Sequence, residues 1–278
     1  RPARVGPMAL RGRKPTLAQV EGDEDLEREY SPSSRAGGSA GPHIADYQVR
    51  STVARNELGS RVREVGAGAL FVDAGPKKPL LVFIHGGYWQ ALSAADSLYL
   101  APDVLAHGWS YAAIEYTLAP GAVIGQMVEE CRAALAALAQ AVRPSFVVLV
   151  GHSAGAQLAA MVALVAPAPV PIDRVVLISG VYDLRPLVHT TVNRPLGLDE
   201  AAAAAFSPML LPLTDQRPES LVAWGENDTD AFKAQSRAFA ERLGATALEV
   251  ADRHHFDVVD DVIALVVRTT APRPSAPG

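Results

Sequence analysis

The chain has 278 residues, 49% of them apolar and 20% charged, with a formal net charge of -5. That length supports one large domain with a sizeable buried core, and the composition excludes a disordered chain. A mild, unclustered negative charge with no basic stripe argues against nucleic acid or an anionic membrane as partner and leaves a small molecule.

Residues 1–42 are polar, and Gly, Ser and Pro collect in "YSPSSRAGGSAGP", which predicts an extended N-terminal arm ahead of a single domain over 43–278. The Arg-rich start "RPARVGPMALRGRK" has no apolar core of signal-peptide length, and no apolar stretch reaches the length of a membrane span. A cytoplasmic protein without a membrane partner is therefore expected, and a homodimer is compatible with the sequence. From there apolar runs alternate with helical patterns. "LLVFIH" predicts a strand, "ADSLYLAPDVLAHG" mostly helix, "SYAAIEY" a strand and "IGQMVEECRAALAALAQAV" a helix. "SFVVLV" predicts a strand, "AQLAAMVALV" a helix and "RVVLISG" a strand. The single cysteine, Cys131, falls in the long helical pattern; with no second cysteine it makes no disulfide within the chain and reads as packing or surface.

Residues 183–218 break the rhythm with Pro, His, Asn and an alanine run, which predicts a small cap segment. The alternation resumes with the strand "SLVAWGE", a helix from about Asp230, the strand "ALEVADR" and a final helix to about Thr270. Such a chain is α/β, with a mostly parallel central sheet and helices on both faces. The cap then falls over a site at the strands' C-terminal ends, just before the late strands.

The chemistry is concentrated at four strand ends. Gly151-His152-Ser153-Ala154-Gly155 sits where the strand Val147 to Val150 must turn into a helix, so the Ser153 hydroxyl is presented at the sheet edge on a sharp turn. A serine hydroxyl is a poor nucleophile at neutral pH and needs a base, itself oriented by a carboxylate. Glu226, Asp228 and Asp230 follow the strand "LVAWG", and His254 and His255 follow "ALEVADR", in the chain order Ser, acid, His. The fourth requirement is a place for an oxyanion. "FIHGGYWQ" closes the strand Leu80 to Ile84, and its amides from Gly86 and Gly87 to Tyr88, with the amide of Ala154, are the expected donors. His85 and His152 flank the site as structural hydrogen-bonders. There is no H-E-x-x-H, cysteine cluster or phosphate-binding loop, so neither metal nor cofactor is expected.

These motifs resemble the kynurenine formamidases (arylformamidases) of the α/β-hydrolase superfamily. "HGGYW" is similar to that family's oxyanion loop, "GHSAGAQLA" to its nucleophile turn, and "GENDTDAFKAQS" and "HHFD" to the segments carrying its acid and histidine. The similarity runs from about "YSPSSR" to "HHFD". It implies an α/β-hydrolase fold, with Ser153 as nucleophile, Asp228 as orienting acid and His255 as base. Asp228 lies three residues after Gly225, the spacing of this fold's acid turn, whereas Asp230 is placed to open the next helix; His255 is the histidine immediately before Phe256. The implied reaction is hydrolysis of N-formylkynurenine to kynurenine and formate, with an esterase or thioesterase of the same fold as the alternative and an inert binding protein as the rival from another class. Tyr88, Trp89 and Tyr182 are expected to line an aromatic pocket. Arg185, His189 and Arg194 are candidates to meet a zwitterionic substrate.

Overall fold

A computed structural model describes residues 24–66 and 68–269. Eight strands form one sheet: β1 (Val62–Glu64), β2 (Ala69–Val72), β3 (Leu80–Ile84), β4 (Ser110–Ile114), β5 (Val147–His152), β6 (Arg174–Ile178), β7 (Glu219–Gly225) and β8 (Thr246–Val250). Their order is β1-β2-β4-β3-β5-β6-β7-β8. Strands β3 to β8 run parallel to one another, and β2 is antiparallel to both β1 and β4.

The central strands are buried on both faces, which is why they read as unbroken apolar runs. Successive side chains alternate between two cores. Leu80, Val82, Ile84, Leu149, Val175 and Leu177 enter one, while Leu81, Phe83, Val148, Val150, Val176 and Ile178 enter the other. Cys131 is buried in the first core, on the helix Ile124–Val142 predicted for it.

Three features differ from the sequence expectation. The first 23 residues of the expected arm lie outside the described residues, but the rest of it is not extended. Residues 24–29 are helical, Pro32–Arg35 form a 3-10 turn, and a long helix, α1 (Gly41–Leu58), starts before the expected domain boundary. The buried seam of α1 is Tyr47, Ser51, Ala54 and Leu58. Their spacing is helical, but one member is polar and one small, and Val49 and Val53 point outward, which blurs the apolar stripe. The short strands β1 and β2 also escaped the periodic reading, and the expected helix over "AQLAAMVALV" ends in a π turn at Met161–Val165.

After α1 come the helices α2 (Ala101–Ala106), α3 (Ile124–Val142), α4 (Ala154–Ala160), α5 (Asn193–Leu196), α6 (Glu200–Ala205) and α7 (Asp230–Leu243). Strand β5 is flanked by β3 and β6, with Ile84 opposite Gly151 and His152 opposite Ile178. The turn into α4 therefore lies at the middle of the sheet's C-terminal edge. Its glycines are required by close approach. A Cβ on Gly155 would lie 2.1 Å from the Ile84 carbonyl oxygen, and one on Gly151 would lie 2.2 Å from the Gly155 oxygen. Gly155→Ala is accordingly expected to cost at least about 3 kcal/mol of stability, because the clash is with backbone that cannot rotate away. Urea unfolding of the variant checks this, and a midpoint equal to wild type would contradict the packing described.

Candidate active site

Ser153 is the hinge residue of the turn, with φ 55 and ψ -120. A non-glycine residue there costs roughly 1–3 kcal/mol and persists only when its surroundings hold it. Its amide donates to the Ile178 carbonyl at 2.8 Å, tying the turn to β6. The loop after β3 continues the unusual backbone: Gly87, Tyr88 and Trp89 all have positive φ, at 91, 52 and 59. A Cβ on Gly87 would lie 2.3 Å from the Ala91 oxygen, and one on Gly86 would lie 3.0 Å from the Ser153 Cβ, so the loop lies directly against the serine. Outside helices and strands, no backbone hydrogen bond among the described residues uses the amides of Gly87, Tyr88 or Ala154 as donor.

Asp228 and His255 stand on adjacent strand ends, because β7 and β8 are parallel neighbours with Gly225 opposite Val250. The two turns are laced together. The Asn227 amide donates to the Arg253 carbonyl at 2.8 Å, and the Asp252 amide to the Glu226 carboxylate at 2.9 Å. Asp228 is fully buried, and both of its carboxylate oxygens lie 3.2 Å from Nδ1 of His255. Burial alone would raise the Asp228 carboxyl, but the His255 imidazole, the Ser179 hydroxyl and the Thr229 amide together hold it below the usual carboxylate range. With Nδ1 engaged, His255 keeps Nε2 for another partner. Its ring is enclosed by Phe232, Phe256 and His152, with centroids 4.7, 5.3 and 4.9 Å away.

Ser153 and His255 open onto one cavity of about 290 Å³. Tyr88, Gly87 and His152 line it, whereas Gly86, where a Cβ would lie 3.0 Å from the Ser153 Cβ, and Ala154, the residue after Ser153, are not among its lining residues. Trp89 and Tyr182 do not line it. Trp89 is fully buried, and its indole N–H donates to Gln157 at 3.1 Å, so it pins the glycine loop to α4. Tyr182 stacks on Phe239 at 4.2 Å in the core. An indole N–H and a phenol ring are as readily satisfied inside a core as at a pocket, and sequence does not distinguish the two.

The roof also differs from expectation. Of the 183–218 segment, only Thr191 and Val192 reach the cavity, and most of the remaining wall comes from the N-terminal side: Tyr30 to Ser33, then Ala40, Ile44 and Tyr47. This roof is fixed at several points. The Tyr88 hydroxyl donates to the Tyr30 carbonyl at 2.5 Å, the Thr229 hydroxyl to the Glu29 carbonyl at 2.6 Å, and the Tyr47 hydroxyl to the Phe256 carbonyl. No composition or periodicity signal pointed to these residues; the similarity of "YSPSSR" to a known family was the one available clue.

The neighbouring candidates have other partners. Asp230 opens helix α7 (Asp230–Leu243), is exposed, and pairs with Arg35 and Lys233, each at 3.1 Å. His254 lies 3.1 Å from Asp257. His85 stacks on Tyr116, and its Nδ1 donates to the Gly86 carbonyl at 2.9 Å. His152 donates from Nε2 to the His255 carbonyl at 2.8 Å, holding the loop that carries His255. Burial first, then the nearby His255 imidazole, lowers the His152 pKa to about 3.

That shift fixes a pH dependence. Between its ordinary value of 6.5 and about 3, His152 takes up a proton when unfolded but not when folded. Protons there favour the unfolded chain, so stability falls as pH drops through this window. His152→Asn keeps a donor for the His255 carbonyl without a titrating ring and is expected to flatten the decline. Urea midpoints across the window, for both proteins, measure it; equal slopes would sink the assignment.

Known proteins share this fold. Residues 81–276 match the model of the alpha/beta hydrolase family. The chain belongs to the alpha/beta hydrolase family. This hydrolase is 31% identical to the kynurenine formamidase of Danio rerio over 274 residues, covering 86% of this chain and 91% of that one. It is 28% identical to the kynurenine formamidase of Drosophila melanogaster, over 86% and 92%. A Silicibacter protein described as a thioesterase superposes with a TM-score of 0.75 at 28% identity, over 90% and 97% of the two chains. Esterase LipQ of Mycobacterium tuberculosis is 26% identical over 69% of this chain and 54% of its own length. Among the described residues no helix is long and apolar enough to cross a membrane, and no cluster of three or more metal-ligating side chains occurs.

Proposed function

We propose that this hydrolase cleaves a small formamide, N-formylkynurenine, to kynurenine and formate through Ser153, His255 and Asp228. The observation that carries the reading is His255, held by the buried Asp228, opening onto the same cavity as Ser153, in a chain similar to kynurenine formamidases along most of its length. His255 takes the Ser153 proton through Nε2 as Ser153 attacks the formyl carbon, and Asp228 stabilises the imidazolium and holds its tautomer. The oxyanion is met by the amide of Ala154 and those of the Gly86 to Tyr88 loop, which are fixed in place before any charge develops. The imidazolium then protonates the departing arylamine. A water, deprotonated by the same base, releases formate and returns the proton to Ser153.

The test is hydrolysis of N-formylkynurenine, followed by the rise of kynurenine absorbance, with p-nitrophenyl acetate in parallel. Formamide turnover supports the reading. Ester cleavage without it moves the assignment to an esterase or thioesterase, the second reading, which the likeness to LipQ and to the Silicibacter protein favours. Failure of a fluorophosphonate to label Ser153 would point instead to an inert binding protein on this fold.

A further inference from the structure

We propose that Arg194 and the carboxylates of Glu27 and Glu24 form a subsite for the zwitterionic head of an α-amino acid, at the outer rim of the Ser153 cavity. The inference rests on the formamidase reading and names how that site chooses its substrate. It starts from a deficit. The side chains lining the Ser153 cavity include no Lys or Arg. A carboxylate carried into that space would lose its hydration without gaining a cation, a cost of several kcal/mol in an apolar enclosure. A substrate with an amino-acid head must therefore leave that head outside.

The structure has a place for it. A second, open pocket lined by Glu24, Glu27, Val188, His189, Thr190, Thr191 and Arg194 shares Glu27 and Thr191 with the first. Those two residues form the partition, with the Glu27 carboxylate accepting from both the amide and the hydroxyl of Thr191. The other two basic side chains expected to meet a zwitterion are already engaged: Arg185 lies 2.7 Å from Asp183, and His189 lies 3.1 Å from Glu200. Arg194 makes no ion pair among the described residues, and its guanidinium is left to grip a carboxylate. Glu27 retains lone pairs beyond the two contacts to Thr191, so it and Glu24 can accept from an α-ammonium. In N-formylkynurenine the formamide is ortho to the ketone on the ring, and the amino-acid head follows the ketone carbonyl by one methylene. With the formamide at Ser153, this flexible side chain is free to turn the head toward the partition.

Binding of the product separates this proposal from the reaction itself. Calorimetric Kd values of kynurenine and of 2-aminoacetophenone, the same aryl ketone without the head, are compared for the wild type, Arg194→Gln and Arg194→Lys. The wild type is expected to prefer kynurenine by about tenfold or more, the order of one charge-assisted contact. Arg194→Gln should erase that preference and Arg194→Lys restore part of it. No preference in the wild type, undetectable binding of both, or a preference that survives Arg194→Gln overturns the subsite. The formamidase reading fails on a different result: kynurenine bound with preference while N-formylkynurenine is not hydrolysed. Turnover of N-formylkynurenine and of 2-formamidoacetophenone with equal KM would leave the reading standing and remove the subsite.

Discussion

Ser153→Ala is expected to lose about a millionfold in kcat on formamide and ester alike, because in the proposed mechanism its oxygen enters the covalent intermediate and nothing beside it replaces that bond. The variant should keep its fold, since Ala at φ 55 carries the same backbone strain as Ser and adds no atoms. Ser153→Gly gives a second arm. Glycine adopts that backbone freely, so this variant should be equally inactive yet more stable than Ser153→Ala, by about 1 kcal/mol. Steady-state rates on p-nitrophenyl acetate and thermal midpoints of the two variants test both halves. Substantial turnover by Ser153→Ala would remove the serine from the mechanism, and equal midpoints would remove the strain.

Asp228→Asn is expected to lower kcat by about ten-thousandfold while leaving KM nearly unchanged. The carboxylate accepts the Nδ1 proton of His255 at 3.2 Å and so leaves Nε2 free to take a proton. A carboxamide of the same shape can donate to Nδ1, which favours the ring bearing its proton on Nε2, where it cannot act as base. Asp230→Asn is the control, because that carboxylate is exposed and bound to Arg35 and Lys233. Comparable losses in the two variants would mean that the acid is misassigned, whereas a loss confined to Asp228→Asn assigns the role to one of two carboxylates only two positions apart.

The parts of the molecule differ in how far their sequences reveal them. Strands β3, β4, β5 and β6 are buried on both faces, so nearly every residue must be apolar and the run is visible without a partner. The serine turn, the glycine loop and the two late strand ends were legible because each combines a rare residue with a strand boundary. The roof was not, because most of its walls are Tyr, Ser, Pro and Ala whose burial depends on where the rest of the sheet lies. Trp89 was misread for a related reason. Its neighbours in sequence line the cavity, but backbone of positive φ turns its own ring inward to Gln157. Arg194 was one of three equivalent candidates in sequence, and only the ion pairs of Arg185 and His189 set it apart.

The fixings of the roof carry a consequence for how such an enzyme can change. Tyr30 receives the hydroxyl of Tyr88 in the glycine loop, and Glu29 receives that of Thr229, the residue after Asp228. The Glu29 carboxylate also accepts the Ala231 amide at the start of α7. The segment that roofs the cavity therefore also braces the glycine loop and the turn that carries Asp228. Because both hydroxyls are received by main-chain carbonyls, a roof borrowed from a relative keeps these two ties wherever its backbone follows the same path, and a chimera is expected to need no compensating change at positions 88 and 229.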